Sequence, residues 1–133
     1  MELVAKPATE KGPADRFIGD VWMDIIVRGE EPSHVRAGVV RFAPGAHSAW
    51  HAHPVGQTLY VTEGVGRIQA REGNVLEIRA GDTVLTRPGE WHWHGAAPDH
   101  FMTHIAIWEA PPEGAESDWG DHISEAEYHA DPA

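Results

Sequence analysis

His51 and His53 stand two residues apart in a short stretch that ends at Pro54. In an extended strand alternate side chains share a face, so both imidazoles point to the same side. Gln57 follows four positions later, an even step, although Pro54 and Gly56 interrupt the strand between them. His92 and His94 repeat the two-residue spacing further along the chain. Neutral imidazoles and an amide oxygen suit a borderline divalent cation such as manganese, iron, nickel or zinc. The chain has no cysteine, so a metal must be held by nitrogen and oxygen, and no disulfide can form. Three histidines from two non-adjacent strands would form a facial set and leave coordination positions open.

A bare His-x-His pair does not by itself separate ligation from a surface or packed role. His104 adds a second signal. It sits within FMTHIAIWE (residues 101 to 109), in phase with Met102, Ala106 and Trp108. If that face lines the interior, His94 and His104 flank the metal as non-ligands. They would then supply a base and a hydrogen-bond donor beside a Lewis acid. The alternative is that one of them is a fourth ligand or a packed core residue. Trp108 shares the phase of His104 and is the expected pocket wall. Trp22, Trp50, Trp91 and Trp93 are expected to fill the core or a subunit contact. His47, His100, His122 and His129 fall in loops or the tail and are expected to be solvated.

These side chains need strands to position them. Residues 17–27, 37–42, 50–53, 57–62, 67–71, 75–79, 83–86, 91–94 and 101–109 read as strands. They are rich in β-branched and aromatic residues and are separated by Gly and Pro. Gly64-Val65-Gly66 reads as the tight turn of a hairpin joining 57–62 to 67–71. Strands recurring every eight to twelve residues predict an all-β sandwich or jelly-roll barrel. The 133 residues predict one domain: an extended arm over 1–16, a barrel over 17–110 and an acidic tail over 111–133. One short helix is expected in the tail, with Ser124 as its cap and Glu127 three residues on.

The net charge is −11, with no cluster of Lys or Arg. That balance repels nucleic acid and anionic membrane surfaces, so the expected partner is a small molecule. No run is long or apolar enough for a signal core or a membrane span, and a cytoplasmic location is the expectation.

The glycines around the histidines carry a resemblance. Gly45, His51, His53, Gln57 and Gly64 stand at the spacing G-x5-H-x-H-x3-Q-x6-G, and Gly81, Gly89 and His92 at G-x7-G-x2-H. These resemble the two motifs of the cupin superfamily, and the match covers most of residues 37 to 109. Cupins commonly have Glu at the place of Gln57, Pro at that of Arg87 and often Asn at that of Ala96. The first difference matters most. An amide does not cancel metal charge, so the ion stays a stronger Lewis acid and its oxidation is harder.

The stretches KGPADRFIGDV, FAPGAHSAWHAHPVGQTLYVTEGVG, PGEWHWHGAAP and MTHIAI are similar to the bacterial cupin hydroxynitrile lyases. That resemblance implies an all-β cupin barrel, a double-stranded β-helix, holding one divalent ion. Manganese is the first expectation and iron, nickel or zinc the alternatives. It implies His51, His53, Gln57 and His92 as ligands and His94 and His104 as the non-ligand histidines. Ser48 takes the family's small hydroxyl position near the metal, and Gly38 and Val40 lie on the strand that narrows its pocket. Glutamine stands in that family where this chain has Trp108, and arginine where it has His47. The implied reaction is cleavage or formation of a cyanohydrin. A cupin dioxygenase and a non-enzymatic small-molecule-binding module are the competing classes. Such barrels often pair, so a homodimer or homotetramer is expected, with the N-terminal arm as exchanger.

Overall fold

The computed structural model describes residues 1–133 as twelve strands and one short helix. The strands are β1 (Glu10–Lys11), β2 (Phe17–Ile18), β3 (Val21–Arg28), β4 (Val35–Phe42), β5 (His47–Ser48), β6 (His51–Ala52), β7 (Gln57–Ala70), β8 (Leu76–Arg79), β9 (Thr83–Thr86), β10 (His92–Ala96), β11 (Met102–Glu109) and β12 (Asp118–Trp119). Every pairing is antiparallel, in the order β1-β3-β4-β11-β7-β10-β5-β2, with β6 on β10 and β12, and β8 and β9 on β7. The sheet curls into the expected all-β cupin barrel. The helix α1 (Glu125–Tyr128) follows it, and no helix is long and apolar enough to cross a membrane.

The hairpin expected at Gly64-Val65-Gly66 is not formed. Residues 57 to 70 make one strand, β7, which joins the two halves of the barrel. Its first part pairs with β11 and β9, and its last part with β10 and β8. The strand bends at Gly64, whose φ is +84°, opposite a register shift in β11. Glycine is required twice over there. An L side chain is strained at that φ, and a Cβ would overlap the carbonyl oxygen of Phe101.

The strand expected over 17–27 is also divided. Gly19, at φ +81°, sends β2 to pair with β5 while β3 continues in the other half. Strands β1, β5 and β12 fall where none was expected. A two-residue strand has no periodicity to read.

Alternation places Phe42, Leu59, Val61, Met102 and Ala106 in the main core, with Val21 and Phe17. A second cluster of Trp50, Val75, Trp93, Ile123 and Tyr128 fastens the tail to the barrel. Tyr128 donates its hydroxyl to the carbonyl of Ala96 at 2.6 Å. The helix start forms as its sequence predicts. The Ser124 side chain accepts from the Glu127 N–H at 3.1 Å, and the Glu127 carboxylate accepts from the Ser124 N–H at 2.9 Å. Lys6 and Thr9 of the arm reach Asp24 on β3, which also pairs with Arg41. These partners, Thr9 and Arg41 foremost, hold the Asp24 carboxyl well below the usual carboxylate range.

Candidate metal centre and pocket

His92 on β10 lies directly across from His51 on β6, and His53 follows two residues on. The ligand atoms of the three all lie within 4.8 Å of one another, so the group could hold one metal ion. Backbone carbonyls set their tautomers. His51 Nδ1 donates to the carbonyl of Ala49 at 2.9 Å and His92 Nδ1 to that of Glu90 at 2.8 Å. His53 Nδ1 donates to the carbonyl of Glu116 at 3.2 Å, with the Ser117 hydroxyl at 3.1 Å. A proton held on Nδ1 leaves the Nε2 lone pair for a metal.

Nε2 of His53, Nε2 of His92 and Oε1 of Gln57 are buried with no hydrogen-bond partner. A buried acceptor left bare is costly unless something takes it. Bare acceptors of N and O type beside the three-histidine group fit a divalent ion. Burial keeps the imidazoles in the neutral, ligating form. It pushes His92 down to about 4 and lowers His53, and with the neighbouring His92 it holds His51 well below the ordinary histidine value.

His94 and His104 extend the group inward. His94 Nε2 lies 3.2 Å from His51 Nε2, and His104 Nε2 lies 3.0 Å from His94 Nδ1. The proton positions follow from the network. His51 has its proton on Nδ1, so its Nε2 lone pair can accept from His94 Nε2; an ion on His51 would take that lone pair and leave the His94 Nε2–H facing the pocket. His94 Nδ1 is then an acceptor, and His104 donates to it from Nε2. That leaves His104 Nδ1 bare, and it is indeed a buried atom without a partner. Phe42 packs against both rings. Burial pushes His104 down to about 3 and holds His94 well below its ordinary value, where His104 and His51 also oppose a charge.

A cavity of about 260 Å³ opens onto these groups. His51, His53, Gln57, His94 and His104 line it, and Gly38, Val40 and Trp108 form part of its wall. Ser48 stands behind the site and does not line the cavity. Its Oγ accepts from the backbone N–H of His94 at 3.1 Å and lies 3.5 Å from His51 Nδ1. His47, expected in solvent, is buried and corrects that reading. It stacks on Tyr128 with ring centroids 4.1 Å apart, because β5 carries it under the tail.

The acidic tail contributes to the site although no motif in it points there. Strand β12 pairs with β6, and Trp119 stacks on His51 at 4.5 Å and 22°. The Arg16 guanidinium lies 5.0 Å over the same indole. Trp119 and Ser117 line the cavity. One signal was present: an indole in a polar tail usually has something to pack on.

The family model described as Cupin domain matches residues 38–108. The chain is 48% identical over 125 residues to an (R)-mandelonitrile lyase of Granulicella tundricola, covering 94% of this chain and 95% of that one. A cupin-like protein of Thermotoga maritima superposes with a TM-score of 0.82 at 34% identity, covering 96% of this chain and 95% of that one. A cupin-2 domain protein of Rhodospirillum rubrum superposes with a TM-score of 0.71 at 17% identity, over 90% of this chain and 77% of that one, which speaks to the fold alone.

Proposed function

The chain belongs to the cupin domain family, and we propose that it is a metal-dependent lyase of the hydroxynitrile-lyase type. It cleaves a cyanohydrin into an aldehyde and cyanide, and forms it in reverse. The observation that carries this reading is the coupled pair His94 and His104 beside a three-histidine group in one small cavity. The 48% identity to an (R)-mandelonitrile lyase supports it.

His51, His53 and His92 would hold the ion, with Gln57 as fourth ligand through Oε1. Manganese is our first choice, and iron, nickel and zinc suit the same donors. Bound there, a divalent ion supplies a Lewis acid that lowers the pKa of the substrate hydroxyl. The neutral Gln57 leaves its charge uncancelled.

The histidine pair moves the proton. His104 Nδ1 is the bare acceptor and takes it from the hydroxyl. The carbon–carbon bond breaks with its electron pair on cyanide, and His94 gives its Nε2 proton to that cyanide. The proton on His104 Nε2 passes across the 3.0 Å contact to His94 Nδ1. Both rings end neutral with their tautomers reversed, and exchange with water resets them. Such a relay suits imidazoles whose burial penalises the charged form, because neither has to become a lasting imidazolium. Met23, Ile25, Val40 and Trp108 give the cavity an apolar side for the aldehyde substituent.

The test is incubation of manganese-loaded protein with mandelonitrile in an oxygen-electrode cell. Benzaldehyde release that stops on chelation supports the lyase. No benzaldehyde above the blank overturns it, and oxygen uptake with the same substrate would move the site to dioxygenase chemistry. The protein is further proposed to work as a homo-oligomer. Tyr60, Leu85 and Ile107 are exposed on the neighbouring strands β7, β9 and β11, an apolar outer face suited to a second copy. Native mass measurement decides that point.

A further inference from the structure

Glu116 lies in the tail, outside every motif that marks the site, yet it meets three parts of the pocket. Its carboxylate accepts from Trp108 Nε1 at 2.9 Å. The same carboxylate pairs with Arg36, whose Nε lies 3.2 Å away. Its backbone carbonyl accepts from His53 Nδ1 at 3.2 Å. Trp108 and Arg36 are cross-strand partners on β11 and β4, and Arg36 Nη1 also donates to the carbonyls of Gly29 and Val35. Arg36 is therefore anchored through Nε and Nη1, and Glu116 is held against a fixed cation. The Trp108 ring lies 6.1 Å from the His53 imidazole. Without Glu116 nothing else accepts from the Trp108 N–H, and the ring, which also packs against the main core, loses its one hydrogen bond.

We propose that Glu116 is a positioning residue that latches the Trp108 indole as a cavity wall and so limits the size of substrate the cavity admits. The inference rests on the lyase reading for the identity of the substrate, an aldehyde or its cyanohydrin, but the latch itself is a statement about cavity width. The indole packs on the main core on one side, and a wall whose orientation is set by the Glu116 hydrogen bond turns when that bond is removed. A wall held by packing does not. A pocket discriminates by size through small differences in contact, so the expected change is of the order of tenfold.

The experiment uses metal-loaded protein and two measurements. The first is the ratio of affinities for 2-naphthaldehyde and benzaldehyde, taken without cyanide. The second is the ratio of kcat/KM for the two cyanohydrins. Glu116→Ala should shift both ratios toward the naphthyl compound by about tenfold. Metal content should not change, because the substitution leaves the backbone carbonyl on His53 in place. Glu116→Gln keeps an acceptor for the indole and should restore most of the native ratio. In a Trp108→Ala background, Glu116→Ala should add nothing. An unchanged affinity ratio in Glu116→Ala overturns the latch. So does a shift that persists undiminished in the Trp108→Ala background. If neither cyanohydrin is cleaved, the lyase reading fails, and the affinity ratio still decides the latch.

Discussion

Nε2 of His104 lies 3.0 Å from Nδ1 of His94, with the two rings inclined at 63°. One proton occupies that contact, so the tautomer of one ring dictates that of the other. His94 Nε2 faces His51 Nε2 in turn, and with an ion on His51 the His94 Nε2–H would be left to the pocket. Base and acid are thus ends of one unit, and asking which histidine is the base separates what the structure joins.

The ligand set predicts a loss of metal without a loss of fold. His51→Ala or His92→Ala should leave a folded barrel that retains little manganese after desalting. Elemental analysis beside near-ultraviolet circular dichroism checks this. Full occupancy in either variant would place the ion elsewhere.

Replacing Gln57 by Glu should keep the ion and reduce the rate. A carboxylate cancels part of the charge that acidifies the substrate hydroxyl. The measurement is kcat on mandelonitrile at matched metal content. A faster Gln57→Glu enzyme would contradict the charge argument.

Stability of the metal-free protein should fall as the pH drops below 6.5. The ordinary histidine value is 6.5, and burial pushes His104 down to about 3 in the folded state. Between those two pH values the unfolded chain binds a proton at this position that the native chain refuses. Unfolding is therefore favoured by about 1.4 kcal/mol per pH unit from this one residue. Above pH 6.5 both states are neutral there and the dependence vanishes. Denaturant titrations between pH 4 and 8 check the slope, and His104→Phe should make it shallower. An identical slope in that variant would mean that His104 is charged in the native state.

The barrel and the metal group were legible because their signals are local. The glycine and histidine spacings mark strand ends and faces, and the phase of His104 with Met102 and Ala106 places it inside. The Ser124 and Glu127 pair announced the helix start at three-residue spacing. The misreadings share one physical origin, which is long-range contact. Gly64 looks like a turn residue, but the overlap that demands glycine there comes from Phe101, far along the chain. His47 looks like a loop residue until Tyr128 covers it. Glu116 and Trp119 reach the site only because a two-residue strand of the tail pairs with His51 and Ala52, and no periodicity announces a strand that short.

That reading of Gly64 can be tested by stability alone. Gly64→Ala puts a Cβ onto the Phe101 carbonyl at a φ of +84°. A strained φ together with an unrelieved clash should cost about 3 kcal/mol or more in the denaturant midpoint analysis. A change within about 0.5 kcal/mol would show that the strand can shift freely there.

The most direct measurement is a double-mutant cycle on mandelonitrile cleavage with manganese content matched across all four proteins. Loss of a general acid or base of this kind costs about 10²–10⁴-fold in rate. His94→Ala and His104→Ala should each lose roughly that factor, and the double variant should lose no more than the worse single one, as residues of one relay do. Multiplicative losses would mean two independent groups, and an unchanged rate in His104→Ala at full metal content would remove His104 from the proton transfer.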